Sequence, residues 1–313
     1  MLEILIDALD ATITTMSTVF VMLFITGLMT EMGAFQRISH LARPLASVAH
    51  LPAVSASTFV ISLGSTIAAN TMIARLKDEG HLSEHQAFLS VLMNSVPVYF
   101  RELFTYQLAF VVPVLGIFVG GVYAIVAVST GLIKMTLVMA LGRAYLPEDS
   151  INNLEIAGPK PRKDIVEAAK RSLRGQKWIF IRISALYFIM TLIVLYLSDT
   201  GMLQSLDVHP IAQIFRVPPE TVIPLTIYVA SPKAGITLLG PMIHNGSISE
   251  TKALIVLMLG SLFMLPAYAL RSLLPNYTSV FGMRLGLSLV AVSTGISVFV
   301  RFAALVALLM ATG

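Results

Sequence analysis

Apolar runs fill most of the chain, and polar residues are confined to short clusters between them. The runs cover residues 13–33, 53–74, 87–100, 104–118 and 120–141 and, beyond a polar stretch, 179–197, 221–243, 253–270 and 280–311. A bilayer core requires about 20 consecutive helical residues. Several runs are shorter than that, or are interrupted by Pro97, Pro113, Pro224, Pro232 or Pro266. Such a pattern predicts an all-α polytopic membrane protein of about 8–10 spans, in which some helices break within the bilayer or re-enter it.

The pattern also repeats. Residues 51–120 return as residues 217–286 at a constant separation of 166 positions, without a gap. Both copies read Gly-x-x-Ser-Glu-x-x-Ala across a polar hairpin, Gly80 to Ala87 and Gly246 to Ala253. Matched pairs include Pro52/Pro218, Ser65/Ser231, Ala68/Ala234, Thr71/Thr237, Ser95/Ser261, Gly116/Gly282 and Gly120/Gly286. Only 14 of the 70 positions are identical, so the stronger signal is that both polar hairpins fall in phase with the paired prolines and glycines. The expected organisation is a first repeat over 1–141, a linker over 142–177 and a second repeat over 178–313. Each repeat would have a lead helix, an amphipathic stretch ending at Pro52 or Pro218, and further membrane elements. Internal repeats in a polytopic membrane protein point to a transporter whose substrate sits between them, near the bilayer midplane.

Composition agrees with the membrane placement, with 56% hydrophobic and 12% charged residues. There is no cysteine, which excludes disulfides, thiolate metal sites and cysteine nucleophiles. The acidic start (Glu3, Asp7, Asp10) lacks a basic leader region, so no cleavable signal peptide is expected. The linker carries Arg143, Lys160, Arg162, Lys163, Lys170, Arg171, Arg174 and Lys177, which places it in the cytoplasm of a cell-membrane protein. Its second part, residues 164–174, reads as a basic amphipathic helix lying on the membrane, with Trp178 at the interface. Because the net charge of +4 is concentrated there, the basic balance reflects membrane topology and lipid contact, not nucleic-acid binding. The first lead helix runs from an acidic N-terminus to Arg37 and Arg43, and the second from the basic linker to Asp199 and Asp207. Opposite flanks predict repeats of inverted topology. Arg75 and Lys77 in the first polar hairpin run against this orientation.

Short motifs carry a resemblance to a known family. The first repeat shows Gly64-Ser65-Thr66-Ile67-Ala68-Ala69-Asn70-Thr71-Met72, Asn94-Ser95-Val96-Pro97 and Pro113-Val114-Leu115-Gly116. The second shows Ala230-Ser231-Pro232-Lys233-Ala234-Gly235 and Phe281-Gly282-Met283-Arg284-Leu285-Gly286. The chain resembles the nucleoside-recognition, or Gate-domain, membrane proteins. That group includes the spore-maturation membrane proteins, the gate region of ferrous-iron transporters and the core repeats of concentrative nucleoside transporters. The resemblance implies nucleoside-like substrates only by analogy of fold. The iron branch is disfavoured, because similar proteins there carry gate cysteines and a fused GTPase, neither of which occurs in this sequence.

The expected binding groups are polar residues held at membrane depth. Ser65, Thr66 and Asn70 lie in one small-residue segment, and Ser231 and Lys233 in its repeat mate. Asn94-Ser95 before Pro97 resembles an unwound helix point, with Gly260-Ser261 opposite it. Small residues at such places also simply pack helices closely, and that reading suffices for an isolated Ser65 or Thr71. Charges within apolar runs are Arg101, Glu102, Lys134, Lys233, Arg271, Arg284 and Arg301; Lys134 and Arg301 are expected to snorkel. Lys233 falls near the middle of its run, where a charge costs at least about 2.5–3.5 kcal/mol and calls for a partner such as Glu102 or a ligand. His81 and His85 have i, i+4 spacing but no third ligand, and there is no P-loop, dinucleotide fingerprint or nucleophile elbow. The expectation is therefore a non-enzyme without metal or cofactor: a secondary transporter of a small polar, nucleoside-like solute, either coupled to H+ or Na+ or passive, with room for a homo-oligomer. Two alternatives stay open, a transporter or flippase of an anionic or lipid-phosphate substrate and a non-transporting scaffold subunit.

Overall fold

A computed structural model describes residues 2–32, 39–147, 164–199 and 221–312. The middle of the basic linker, Asp207, Pro218 and the side chains of Trp178 and Arg271 lie outside what it describes. The described residues contain helices and no strand. Among them, Glu84–Leu115, Ile117–Tyr145, Glu250–Tyr268 and Met283–Ala311 are long and apolar enough to cross a bilayer. The protein is an all-α membrane protein.

Two lead helices, α1 (Leu2–Glu31) and α9 (Ile165–Asp199), pack along each other. Going up α1 means going down α9. Thr15 bonds Tyr187 (3.2 Å), the Phe20 and Phe180 rings meet edge-on at 5.1 Å, and the Ser172 hydroxyl donates to the Phe24 carbonyl (3.0 Å). The two helices are antiparallel. Residues 165–174 do not form a separate surface helix, as the basic pattern suggests; they are the opening turns of α9. Small Ala168 and Ser172 are buried, which lets this segment continue along α1 while Lys170, Arg171 and Arg174 stay exposed.

After the amphipathic α2 (Ser39–Val48), α3 (Ala53–Gly64) and α4 (Thr66–Asp78) meet at Ser65, whose backbone is extended (φ −148°, ψ 106°). In the second half α10 (Val222–Ala230) and α11 (Pro232–His244) meet at Ser231 in nearly the same conformation (φ −151°, ψ 103°). Each arm pair folds back on itself as a hairpin. An arm of 12 or 13 residues reaches about 18–20 Å, less than a bilayer core of about 30 Å. The arms touch where α11 supplies Gly235: a Cβ there would sit 2.5 Å from the Cα of Tyr228 on α10.

The polar loops that follow use the same chemistry twice. Gly80 (φ 81°) and Gly246 (φ 74°) take the left-handed turn. Ser83 and Ser249 then cap the next helices, accepting from the amides of Gln86 and Lys252, with Glu84 and Glu250 in the first turns.

Next come two broken spans. In the first half these are α5 (Glu84–Asn94), α6 (Val96–Glu102), a π-helical stretch Leu103–Val111 and α7 (Val112–Leu115). In the second they are α12 (Glu250–Tyr268), a π-helical stretch Ala269–Leu273 and α13 (Leu274–Phe281). Prolines flank both π stretches, Pro97 and Pro113 in one, Pro266 and Pro275 in the other. Proline lacks the amide that an α-helical ladder needs, so the bonding shifts register around it. Gly116 (φ 86°) and Gly282 (φ 78°) then turn the chain into α8 (Ile117–Tyr145) and α14 (Met283–Thr312). The hairpin bends, polar turns, π onsets and positive-φ glycines thus recur at the 166-residue separation.

Contacts between the halves are reciprocal. Hairpin arm α4 packs on α13, and its counterpart α11 packs on α7; α5 packs on α14, and α12 on α8. The largest apolar cluster spans the join, with Phe110, Val114 and Leu115 from one half and Tyr228, Ile236, Leu239 and Leu254 from the other. Neither arm of one hairpin packs along an arm of the other.

Replacing Gly235 with Ala is expected to destabilise the protein by about 1–3 kcal/mol, because its methyl group would overlap Tyr228. The Gly121→Ala control, with open space around it, should be neutral or slightly stabilising. Thermal unfolding of the two purified variants checks the contrast.

Candidate functional site

Beneath the bend of the first hairpin lies a buried polar chain. The Thr58 hydroxyl on α3 donates to the Asn94 side-chain carbonyl (3.1 Å), and the Asn94 amide donates to the Asn70 side-chain carbonyl on α4 (3.3 Å). Asn70 also interacts with the Tyr277 hydroxyl from the other half. One turn away, Ser55 and Ser90 share a 2.7 Å bond. Thr58, Asn94, Ser55 and Ser90 are fully buried, and Asn70 is nearly so. Ser55, Thr58 and Ser62 follow i, i+3, i+7 spacing and form one polar face on an otherwise apolar helix.

The second half answers with different residues. Gly260 stands at the position equivalent to Asn94, and the Tyr228 ring occupies the space above it, 2.5 Å from where a Cβ would be. The Tyr228 hydroxyl bonds Tyr123 (2.6 Å) and Ser261 (3.2 Å).

Of the residues singled out from the sequence, Asn70 and Asn94 are brought into direct contact. Ser65 and Ser231 occupy the two hairpin bends and are exposed, with Thr66 half-buried beside Ser65. Ser231 caps α11, accepting from the Ala234 amide. The α5 helix does end at Asn94, and half-buried Ser95 donates to the Leu92 carbonyl (2.7 Å). Opposite it, however, Gly260 and Ser261 lie within the continuous α12. For Lys233, expected to meet a partner such as Glu102 or a ligand, no such partner is found among the described residues. Lys233 is exposed on the second residue of α11, and its ammonium makes no hydrogen bond or ion pair with a described residue, Glu102 included.

The buried charges are elsewhere. Lys134 is 2% exposed, and its ammonium donates to Tyr99 (2.9 Å) and Ser293 (2.7 Å) while lying 5.0 Å from the Tyr99 ring centre. Arg301 is 8% exposed and donates to Thr130 (3.2 Å) and to the Ser297 carbonyl (3.2 Å). Neither side chain snorkels. Both lie in the contact between α8 and α14, because Ser293, Ser297 and Arg301 form an i, i+4, i+8 polar stripe that faces Thr130 and Lys134. The bonds also give direction: later Lys134 reaches earlier Ser293, and earlier Thr130 reaches later Arg301. Helices α8 and α14 run antiparallel.

Arg101 connects this region to the hairpin bend, donating to the carbonyls of Leu63 (3.2 Å) and Gly64 (3.4 Å) at the end of α3. Its neighbour Glu102 lies within electrostatic reach of Arg101, Arg301 and Lys134. Among the described residues no group of three or more His, Asp or Glu could hold a metal ion.

The chain matches no family model and no solved structure. It is similar to three uncharacterized proteins of Methanocaldococcus jannaschii. MJ0871 is 25% identical over 92% of this chain and 90% of its own length. MJ0880 is 24% identical over 88% and 90%, and MJ1556 is 23% identical over 89% and 88%. Coverage this complete extends the similarity through both halves.

Truncating Asn94 to Ala should cost about 1–3 kcal/mol, since it strands the Asn70 side-chain carbonyl in the interior, while the Thr58 hydroxyl keeps its bond to the Ser55 carbonyl (3.1 Å). Ser65→Ala, at an exposed bend, should change the unfolding midpoint little. Equal losses in the two variants, read by thermal unfolding, would contradict the buried chain as the stabilising element.

Proposed function

We propose that this membrane protein is a secondary transporter of a small polar solute, built from two repeats of inverted topology. The observation that carries the reading is the recurrence of the hairpin bends, polar turns, π onsets and positive-φ glycines at the same 166-residue separation, in halves whose equivalent helices run antiparallel (α1 against α9, α8 against α14). Each half then holds one lead helix, one re-entrant hairpin, one broken span and one long span. Three crossings per half reverse the direction of the second half relative to the first. Reciprocal packing of α4 on α13 and α11 on α7 fits a two-fold relation between halves. With the basic linker in the cytoplasm, the polar turns at Gly80 and Gly246 fall on opposite faces of the membrane.

Transport follows from the same features. Broken helices leave backbone groups free at depth, and the hairpin bends expose Ser65 and Ser231 there. The solute is taken to bind at these bends, with Thr66, Asn70, Asn94, Ser95, Lys233 and Ser261 around or beneath them. The Gate-domain resemblance makes nucleosides the first solutes to try. The sequence shows no ATPase signature, and the transport proposed is ion-coupled, driven by H+ or Na+, or passive.

Uptake into proteoliposomes tests the reading. Radiolabelled uridine should enter vesicles containing the protein faster than protein-free ones, and dependence of the rate on a H+ or Na+ gradient separates coupled from passive transport. Ser65→Leu, Ser231→Leu and Lys233→Ala should each reduce it about tenfold or more while the protein stays folded. If vesicles with folded protein take up neither uridine, uridine monophosphate nor phosphate, the scaffold alternative stands instead. Because the chain has no native cysteine, single cysteines at His81 and Ser247 report topology directly. Labelling of both from the same side would end the inverted arrangement.

A further inference from the structure

The contact between α8 and α14 holds two buried cations that form no ion pair among the described residues. Lys134 and Arg301 are both more than nine-tenths buried, and Arg101, the sequence neighbour of Glu102, acts with them on that carboxylate. Glu102, an exposed residue, lies within electrostatic reach of all three and forms no ion pair with any of them. None of the three cations is ion-paired with a carboxylate among the described residues. Neutral hydroxyls and a carbonyl satisfy part of their hydrogen bonding without offsetting the charge.

The donors are also incompletely used. Arg301 engages its acceptors through Nη1 alone, so its Nε and Nη2 hydrogens have no acceptor among the described residues. Lys134 spends two of its three ammonium hydrogens on Tyr99 and Ser293. On the same face of α14, seven residues before Arg301, the buried Thr294 hydroxyl has no hydrogen-bond partner. A planar guanidinium with a free edge, an ammonium with a free hydrogen and an unpartnered hydroxyl make a donor set for a multi-oxygen anion.

We propose that Arg301 and Lys134, with Thr294, form a binding site for a phosphate-type oxyanion, and that Glu102 is the counter-charge this anion replaces. The anion is either a free phosphate group or a lipid headgroup. That it belongs to the transported solute rests on the transporter reading above; the site itself does not. Arg101 links the site to the hairpin bend through the Leu63 and Gly64 carbonyls, which places occupancy next to the element where the solute is taken to bind.

The test is the unfolding midpoint of the purified full-length protein as sodium phosphate replaces sodium chloride at constant ionic strength. In parallel, the protein is reconstituted in phosphatidylcholine nanodiscs with and without phosphatidate. Wild-type protein should show a saturable rise with one of the two probes. A rise with inorganic phosphate identifies a free phosphate group, and a rise with phosphatidate alone identifies a lipid headgroup. Arg301→Gln should weaken the apparent affinity about tenfold or more. Glu102→Gln, which removes the competing carboxylate, should strengthen it. The Glu102 variant keeps the test decisive if Arg301→Gln fails to fold. No rise with either probe in both wild type and Glu102→Gln would overturn the proposal, as would an unchanged rise in Arg301→Gln. A phosphate response that depends on Arg301, in a protein that takes up no probe, would keep this site and remove the transport reading.

Discussion

Backbone amides and carbonyls released inside a membrane must find partners within the protein, and the architecture follows from how this chain meets that requirement. It interrupts its helices at Ser65, Ser231, Gly116 and Gly282 and through two π stretches. At the two hairpin bends some of the freed groups have local partners. Arg101 takes the Leu63 and Gly64 carbonyls at the first bend, and the Ser231 hydroxyl takes the Ala234 amide at the second. Pro113 and Pro275 follow their π stretches directly, where a missing amide leaves no orphan donor.

The two halves use one framework with different fillings. The first buries Thr58, Asn94 and Asn70 as a connected chain of hydrogen bonds. The second replaces the asparagine by Gly260 and fills the space with Tyr228, wedged between Gly235 and Gly260 and tied to Tyr123 and Ser261. The charged residues follow the same division. Lys134 and Arg301 come from equivalent helices but from non-equivalent positions, so the α8–α14 crossing is built once from two different contributions.

Much of the fold is legible in order along the chain. Apolar runs give the spans, Gly80 and Ser83 with Gly246 and Ser249 give turn-and-cap signals, and the prolines announce where helices change register. The polar face Ser55-Thr58-Ser62 and the stripe Ser293-Ser297-Arg301 are also present as helical spacing, although each is diluted by the apolar residues around it. Lys134 and Lys233 could not be read this way. Both sit inside apolar runs, and hydropathy does not distinguish a side chain that faces a neighbouring helix from one that faces outward.

Local chemistry, then, determined on its own that this chain is helical, membrane-borne and punctuated at regularly recurring positions, because helix propensity, capping and hydropathy act over a few neighbouring residues. Which faces meet was decided by tertiary packing. The antiparallel pairing of α1 with α9 and of α8 with α14, the contact of Asn94 with Asn70, and the burial of Lys134 and Arg301 in place of Lys233 all join residues distant in sequence. Such contacts depend on the shapes and polar groups of two surfaces fitting at once, and no single stretch of sequence carries both surfaces.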